Sequence, residues 1–192
     1  MIKFLIFCNV LFTSTPLYQG YKSEKSIGAL INDGLNNSDS VAITKSIKGF
    51  LLWYKSNYNK ANSVGFTKSD KKGNYVVDMV ACNKYLAILK SSTFISERYL
   101  TEWRKYFESK SQAFIDNPQN EGPPEGFDFD LVLLNQEPDL ILNNVKNLKF
   151  KVKEMHKTTA IVEVMGEFTY NFEMRKINGK WMIDYIGSEN YD

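Results

Sequence analysis

Between residues 148 and 186 the apolar side chains fall at every second position, and this change of period constrains the fold more than any other feature of the chain. Leu148, Phe150 and Val152 alternate with Lys149, Lys151 and Lys153; Ala160, Val162 and Val164 continue the alternation; Phe168, Tyr170, Phe172 and Met174 then alternate with Thr169, Asn171, Glu173 and Arg175. Successive side chains of an extended chain point to opposite faces, so a period of two gives strands with one apolar and one wet face. Asn178-Gly179 separates Met174 from Trp181. Both turn residues adopt positive φ readily, which predicts a tight hairpin feeding a closing strand from Trp181 to Ile186. Tight hairpins join antiparallel neighbours, so the last third of the chain reads as a meander.

Upstream the period is helical. Ile43, Ile47, Phe50, Leu51, Tyr54 and Tyr58 recur at three- and four-residue steps, which predicts an amphipathic helix with Asp39 or Ser40 as its N-cap. Gly49 weakens that helix by about 1 kcal/mol against alanine unless a neighbour packs closely there. Lys71-Lys72-Gly73-Asn74 reads as a turn and Tyr75-Val76-Val77-Asp78 as a short extended piece. A brief helix from Asn83 to Lys90 follows, then one capped by Ser96 and ended by Pro118, with Tyr99, Trp103, Phe107 and Phe114 on one side. We read that aromatic stripe as core lining. Helices first and a meander last give the α+β class, with N-terminal helices covering one face of a curved antiparallel sheet. A chain of 192 residues that is 43% hydrophobic has enough apolar surface for one such core.

The first residues have a different organisation. Met1-Ile2-Lys3 precedes the apolar run from Phe4 to Phe12 and the small polar stretch Thr13-Ser14-Thr15, the order of a signal peptide. The run is roughly half the ~20 apolar residues a spanning helix needs, so a leader over residues 1–20, cleaved between Thr15 and Tyr21, is expected rather than a transmembrane span. The mature protein is then periplasmic or secreted. Residues 21–39, rich in Lys, Ser, Asn, Asp and Gly, read as a linker, and residues 40–192 as a single domain. Loss of the leader removes Cys8 and leaves Cys82 alone, which excludes an internal disulfide and makes burial its expected state.

Several segments carry a resemblance. Phe50-Leu51-Leu52-Trp53-Tyr54-Lys55, Tyr85-Leu86, Leu89-Lys90-Ser91-Ser92, Gly126-Phe127-Asp128-Phe129-Asp130 and Gly179-Lys180-Trp181-Met182-Ile183-Asp184 together resemble a bacterial domain-of-unknown-function family. That family is similar to the nuclear-transport-factor-2-like (cystatin-like) superfamily. The resemblance implies a strongly bent sheet wrapped on helices, a cystatin-like cone with a cavity at its mouth. It makes Trp53, Tyr54, Tyr170 and Asp184 the pocket candidates, because in such cones the last strands and the helices beneath them line the cavity. It implies no particular activity, since the superfamily holds both enzymes and binding modules. By simple alternation Asp184 shares its face with Met182 and Ile186.

A formal net charge of +2 supplies no global field for nucleic acid, so charge-based recognition must be local. Across residues 116–139 seven acids stand without a single Lys or Arg, and Gly122-Pro123-Pro124 with Gly126 makes the stretch a loop. Glu121, Glu125, Asp128, Asp130 and Glu137 are therefore candidates for contact with a partner. Asp128 and Asp130 lack the continuation of a calcium loop, because Val132 and Leu133 stand where the next acid and the glycine belong. Lys149, Lys151 and Lys153 share one strand face, which protects an exposed sheet face or edge from aggregation. His156 is the only histidine, so a His-rich metal site within one chain is excluded. No recognised motif surrounds His156 or Cys82, and no catalytic residue, metal or cofactor is assigned. These observations favour a non-catalytic binding module of the cell envelope. The alternative is a small-molecule enzyme or ligand-binding protein that uses an aromatic-lined cavity with an aspartate as general base. The partners in view are an envelope protein, a small-molecule ligand or a second copy of the chain.

Overall fold

The computed structural model describes residues 28–188, so the expected leader and its cleavage site lie outside the described residues. Helix α1 (Gly28–Asn62) leads through a small antiparallel hairpin, β1 (Thr67–Ser69) and β2 (Tyr75–Val77), to helices α2 (Met79–Lys90) and α3 (Glu97–Asp116). The acidic loop, a short helix α4 (Asp139–Leu142) and a 3-10 turn (Val145–Asn147) follow. Strands β3 (Lys149–Met155), β4 (Thr159–Met165), β5 (Thr169–Ile177) and β6 (Lys180–Ser188) then pair as antiparallel neighbours in chain order. The protein is α+β, with a helical first part and a four-stranded meander, as the change of period predicts. No helix among the described residues is long and apolar enough to cross a membrane.

Two helix starts differ from the sequence reading. Residues 28–39, read as linker, are already helical, so Asp39 lies inside α1 and does not cap it. Its Oδ1 instead accepts from Lys176 Nζ at 2.7 Å and from Trp181 Nε1 at 2.9 Å, and Ser46 Oγ donates to the Trp181 carbonyl at 2.7 Å. Those bonds fasten α1 to the β5–β6 hairpin, and the Lys176 and Trp181 donors hold the Asp39 carboxyl below its usual range. A short acid ahead of an apolar period is a cap signal, but the same residue serves equally well as a tertiary acceptor. In α2, Asp78 is the cap, accepting from the Val80 and Ala81 amides, and the helix therefore starts at Met79 rather than Asn83.

The apolar face of α1 (Ile43, Ile47, Phe50, Leu51, Tyr54) and the inner sheet face (Val162, Tyr170, Phe172, Met174, Ile183) belong to one buried cluster. Phe172 is fully buried, and its truncation to alanine is worth about 3–5 kcal/mol. Gly49 has the close neighbour that justifies it, since a Cβ there would stand 2.7 Å from the Phe94 ring. Two irregularities interrupt the sheet, between Val152 and Glu154 on β3 and opposite Glu173–Met174 on β6. An extra residue in one strand bends that strand and sharpens its twist. On the basic face of edge strand β3, Lys153 Nζ lies 2.8 Å from Glu163 Oε2 and Lys151 Nζ 4.0 Å from Oε1, so Glu163 answers part of that charge.

Candidate functional site

The second irregularity builds the site. Glu173 pairs with Tyr185 and Met174 with Ile183, which leaves Asp184 as the extra residue of a β-bulge. Ile183 is held on its other edge by Phe94 and Ser96: its amide donates to the Phe94 carbonyl at 2.8 Å, and its carbonyl accepts from the Ser96 amide at 2.9 Å. The bulge resets the alternation, so Trp181, Ile183 and Ile186 are all buried while Tyr185 is half exposed. Asp184 does not simply share a face with Met182 and Ile186; the bulge re-aims it inward, and it is 2% exposed.

Immediately after its contact with β6 the chain enters α3, capped by Ser96 Oγ, which accepts from the Tyr99 amide. Tyr99, Trp103 and Tyr106 recur at helical spacing along this helix, and with Tyr185 and Ile186 of β6 they wall a cleft of about 250 Å³ that also reaches Asp184. Trp103 sits edge-on to Tyr106 at 5.1 Å between centroids and tilted against Tyr99 at 6.4 Å. The Tyr106 hydroxyl donates to the Gly126 carbonyl at 2.7 Å. Gly126 adopts φ +86°, and a Cβ there would meet that hydroxyl at 2.5 Å, so both backbone and space require glycine.

Two polar atoms of this cleft are buried without a hydrogen-bond partner: Asp184 Oδ1 and the Tyr99 hydroxyl. The other Asp184 oxygen is well served, since Oδ2 accepts from Arg175 Nε at 2.5 Å and lies 3.5 Å from Arg98 Nη1. Burial raises the Tyr99 phenol well above its ordinary range; Trp103 offsets part of this, although no protein atom completes a hydrogen bond to the hydroxyl. Leaving a buried polar atom unpaired costs about 1–3 kcal/mol, and two such atoms on one cleft mark a place where a ligand would complete the bonding.

The remaining wall comes from the acidic loop, and it is set by a buried network. Tyr54 donates its hydroxyl to Asp130 Oδ2 at 2.6 Å, while Asp130 Oδ1 accepts from the Val132 and Leu133 amides at 3.1 and 2.7 Å. Asn135 Nδ2 donates to the Leu133 carbonyl and to the Tyr170 hydroxyl, and the Asp130 amide donates to the Asn135 carbonyl. This knot holds Leu134 at φ +51° and presents Leu134 and Phe129 to the cleft. Burial raises the Asp130 carboxyl, with the Tyr54 and backbone donors pulling the other way.

Of the four pocket candidates, Asp184 lines the cleft, and the other three do not. Tyr54 and Tyr170 are each 1% exposed and bind the loop from within the core, and Trp53 packs beside Phe50 at 6.2 Å. Asp130 is corrected from a surface contact to a buried acceptor, whereas Glu121, Glu125, Asp128 and Glu137 are exposed and Glu125 faces Lys110 at 3.5 Å. Sequence reasoning placed Tyr99 and Trp103 in the core and did not single out Tyr106. The available signal was Tyr106, three residues after Trp103 and about 100° round the helix from Phe107, which turns inward.

Behind Asp184 lies a second, polar cavity of about 300 Å³, lined by Arg98, Arg175, Glu173, Glu154 and His156. Arg98 Nη2 stands 3.5 Å from Glu173. Asp184 belongs to the walls of both cavities. Cys82 is fully buried on α2, with its thiol pushed up to about 11 by desolvation, while His156 is exposed at the end of β3. Among the described residues no group of three or more His, Cys, Asp or Glu side chains is arranged to hold a metal ion. No family model, curated protein or solved structure matches the chain.

Proposed function

We propose that the protein is a small-molecule binding module whose site is the aromatic cleft between α3 and β6. One observation carries this reading: a cleft lined by Tyr99, Trp103, Tyr106 and Tyr185 contains two buried polar atoms that the protein leaves unpartnered. Apolar walls with a few convergent polar groups are the usual make-up of a ligand site. The ligand has a flat apolar body and a hydrogen-bond donor for Asp184 Oδ1. A charge-assisted bond of this kind contributes about 1.5–3 kcal/mol, or roughly 10- to 100-fold in affinity. Export to the envelope, supported by the leader-like order of residues 1–15, and membership of the nuclear-transport-factor-2-like superfamily, supported by the motifs quoted above, are part of the same proposal.

Ligand-observed NMR with benzyl alcohol and toluene tests the site. Benzyl alcohol is expected to bind more tightly than toluene, and Trp103→Ala is expected to abolish both signals. Binding that survives Trp103→Ala overturns the assignment. The Tyr99 hydroxyl and Asp184 carboxylate are also the pair an acid–base enzyme would require, which is the second reading. Saturable turnover of a bound compound, lost in Asp184→Asn with the fold intact, favours the enzyme over the binder.

A further inference from the structure

The charges around Asp184 narrow the ligand class, given the cleft as the site. Arg98 and Arg175 are matched by Asp184 and Glu173 within one contact group, so the group is neutral before any ligand arrives. Glu102, on the cleft wall, is paired with Lys105 at 2.9 Å, and Glu154 with His156 lines the polar cavity beyond. A lone cation would satisfy Oδ1 but leave excess positive charge beside two guanidinium groups. A lone anion would be taken by an arginine but repelled by two carboxylates. An uncharged ligand or one carrying both signs keeps the balance, and of these only the second also offers the carboxylate and the guanidinium groups opposite charges to meet.

The donors and acceptors are arranged for such a ligand. Asp184 Oδ1 is an unpartnered carboxylate oxygen on a residue that lines a cleft walled by aromatic side chains, a setting that suits an ammonium group through both hydrogen bonding and cation–π attraction. Arg98 is the under-used donor: its side chain is 50% exposed, and both its contacts, to Asp184 and to Glu173, are long at 3.5 Å. It lines the polar cavity that shares Asp184 with the cleft, and its Nη1 is 3.5 Å from Oδ2 of the same carboxylate whose Oδ1 is unpartnered, so a ligand that bridges the two cavities past Asp184 would meet both groups. The cavities on either side of Asp184, about 250 and 300 Å³, suit a molecule at the small end of ligand size. We propose that the ligand is a free α-amino acid with an aromatic side chain, its ring between α3 and β6, its ammonium on Asp184 Oδ1 and its carboxylate on Arg98. This rests on the cleft reading above.

Calorimetric titration at neutral pH with L-phenylalanine, phenethylamine, hydrocinnamate and benzyl alcohol tests it on the full chain. L-phenylalanine is expected to bind about 10-fold more tightly than any of the other three, each of which lacks at least one charge. Arg98→Gln, a change at a half-exposed position that preserves the fold, should lower L-phenylalanine affinity about 10-fold and leave phenethylamine unchanged. Benzyl alcohol or phenethylamine binding as tightly as L-phenylalanine overturns the amino-acid assignment while the cleft stands. Absence of L-phenylalanine binding overturns it as well, and the Trp103→Ala comparison then separately decides whether the cleft is a site. An Arg98→Gln variant that keeps full L-phenylalanine affinity removes the carboxylate contact and with it the proposal.

Discussion

Asp130 and Asp184 are both buried aspartates, 7% and 2% exposed, yet the protein treats them in opposite ways. Both Asp130 oxygens accept from within the chain, from Tyr54 and from the Val132 and Leu133 amides, and the residue fastens the acidic loop to α1. Asp184 is bonded on one oxygen only, by two arginines that are themselves about half exposed; its second oxygen has no partner, and the residue lines an aromatic cleft. A satisfied buried carboxylate is a structural fastener. A half-satisfied one, placed by a bulge at the meeting point of two cavities, has the properties of a recognition group.

The largest expected effect tests that contrast directly. Asp130→Ala strands two amides and the Tyr54 hydroxyl, and should cost about 3–5 kcal/mol in urea unfolding. Asp184→Asn should cost only about 1 kcal/mol, since the arginines it releases are half solvated and their pairing is screened. Equal costs at the two positions would erase the distinction between fastener and recognition group.

A smaller effect sharpens the comparison through pH. Burial raises the Asp130 carboxyl, so its contribution is fully present below the unfolded value of about 3.9 and declines as pH rises through the raised folded value. The lowered carboxyl of Asp39, on α1, has the opposite sign: its contribution is full above about 3.9 and is lost as pH falls through its folded value. Asp130→Asn should therefore gain stability relative to wild type as pH rises from about 3 to 7, while Asp39→Asn should flatten the acid limb over the lower part of that range. Parallel stability–pH profiles for the two variants and wild type would contradict both assignments.

The smallest effect belongs to the Tyr99 hydroxyl. Removing a buried polar atom that has no partner should leave stability unchanged or raise it by about 0.5–1 kcal/mol, so Tyr99→Phe is expected to melt no lower than wild type. The same change should weaken benzyl alcohol binding if the hydroxyl meets the ligand. A clear loss of thermal stability in Tyr99→Phe would show that the hydroxyl is engaged within the fold and is not held open for a ligand.

What the sequence by itself determined was everything carried by local period: the helix bearing Ile43 to Tyr58, the Ser96 cap, the alternating strands, the Asn178-Gly179 hairpin, and burial of Phe172 and Cys82. Each depends on residues within a few positions of one another, where sterics and apolar spacing act without reference to the rest of the chain. The site was not legible in that way. Asp184 turns inward because β5 and the Phe94–Ser96 segment grip β6 from its two edges and force an extra residue between them, a condition no single strand records. Tyr54 and Tyr170 were expected to line a pocket, and both lie in the core. Only the tertiary structure decided that their hydroxyls would be consumed by Asp130 and Asn135, leaving Tyr99 and Asp184 as the groups with bonds still to make.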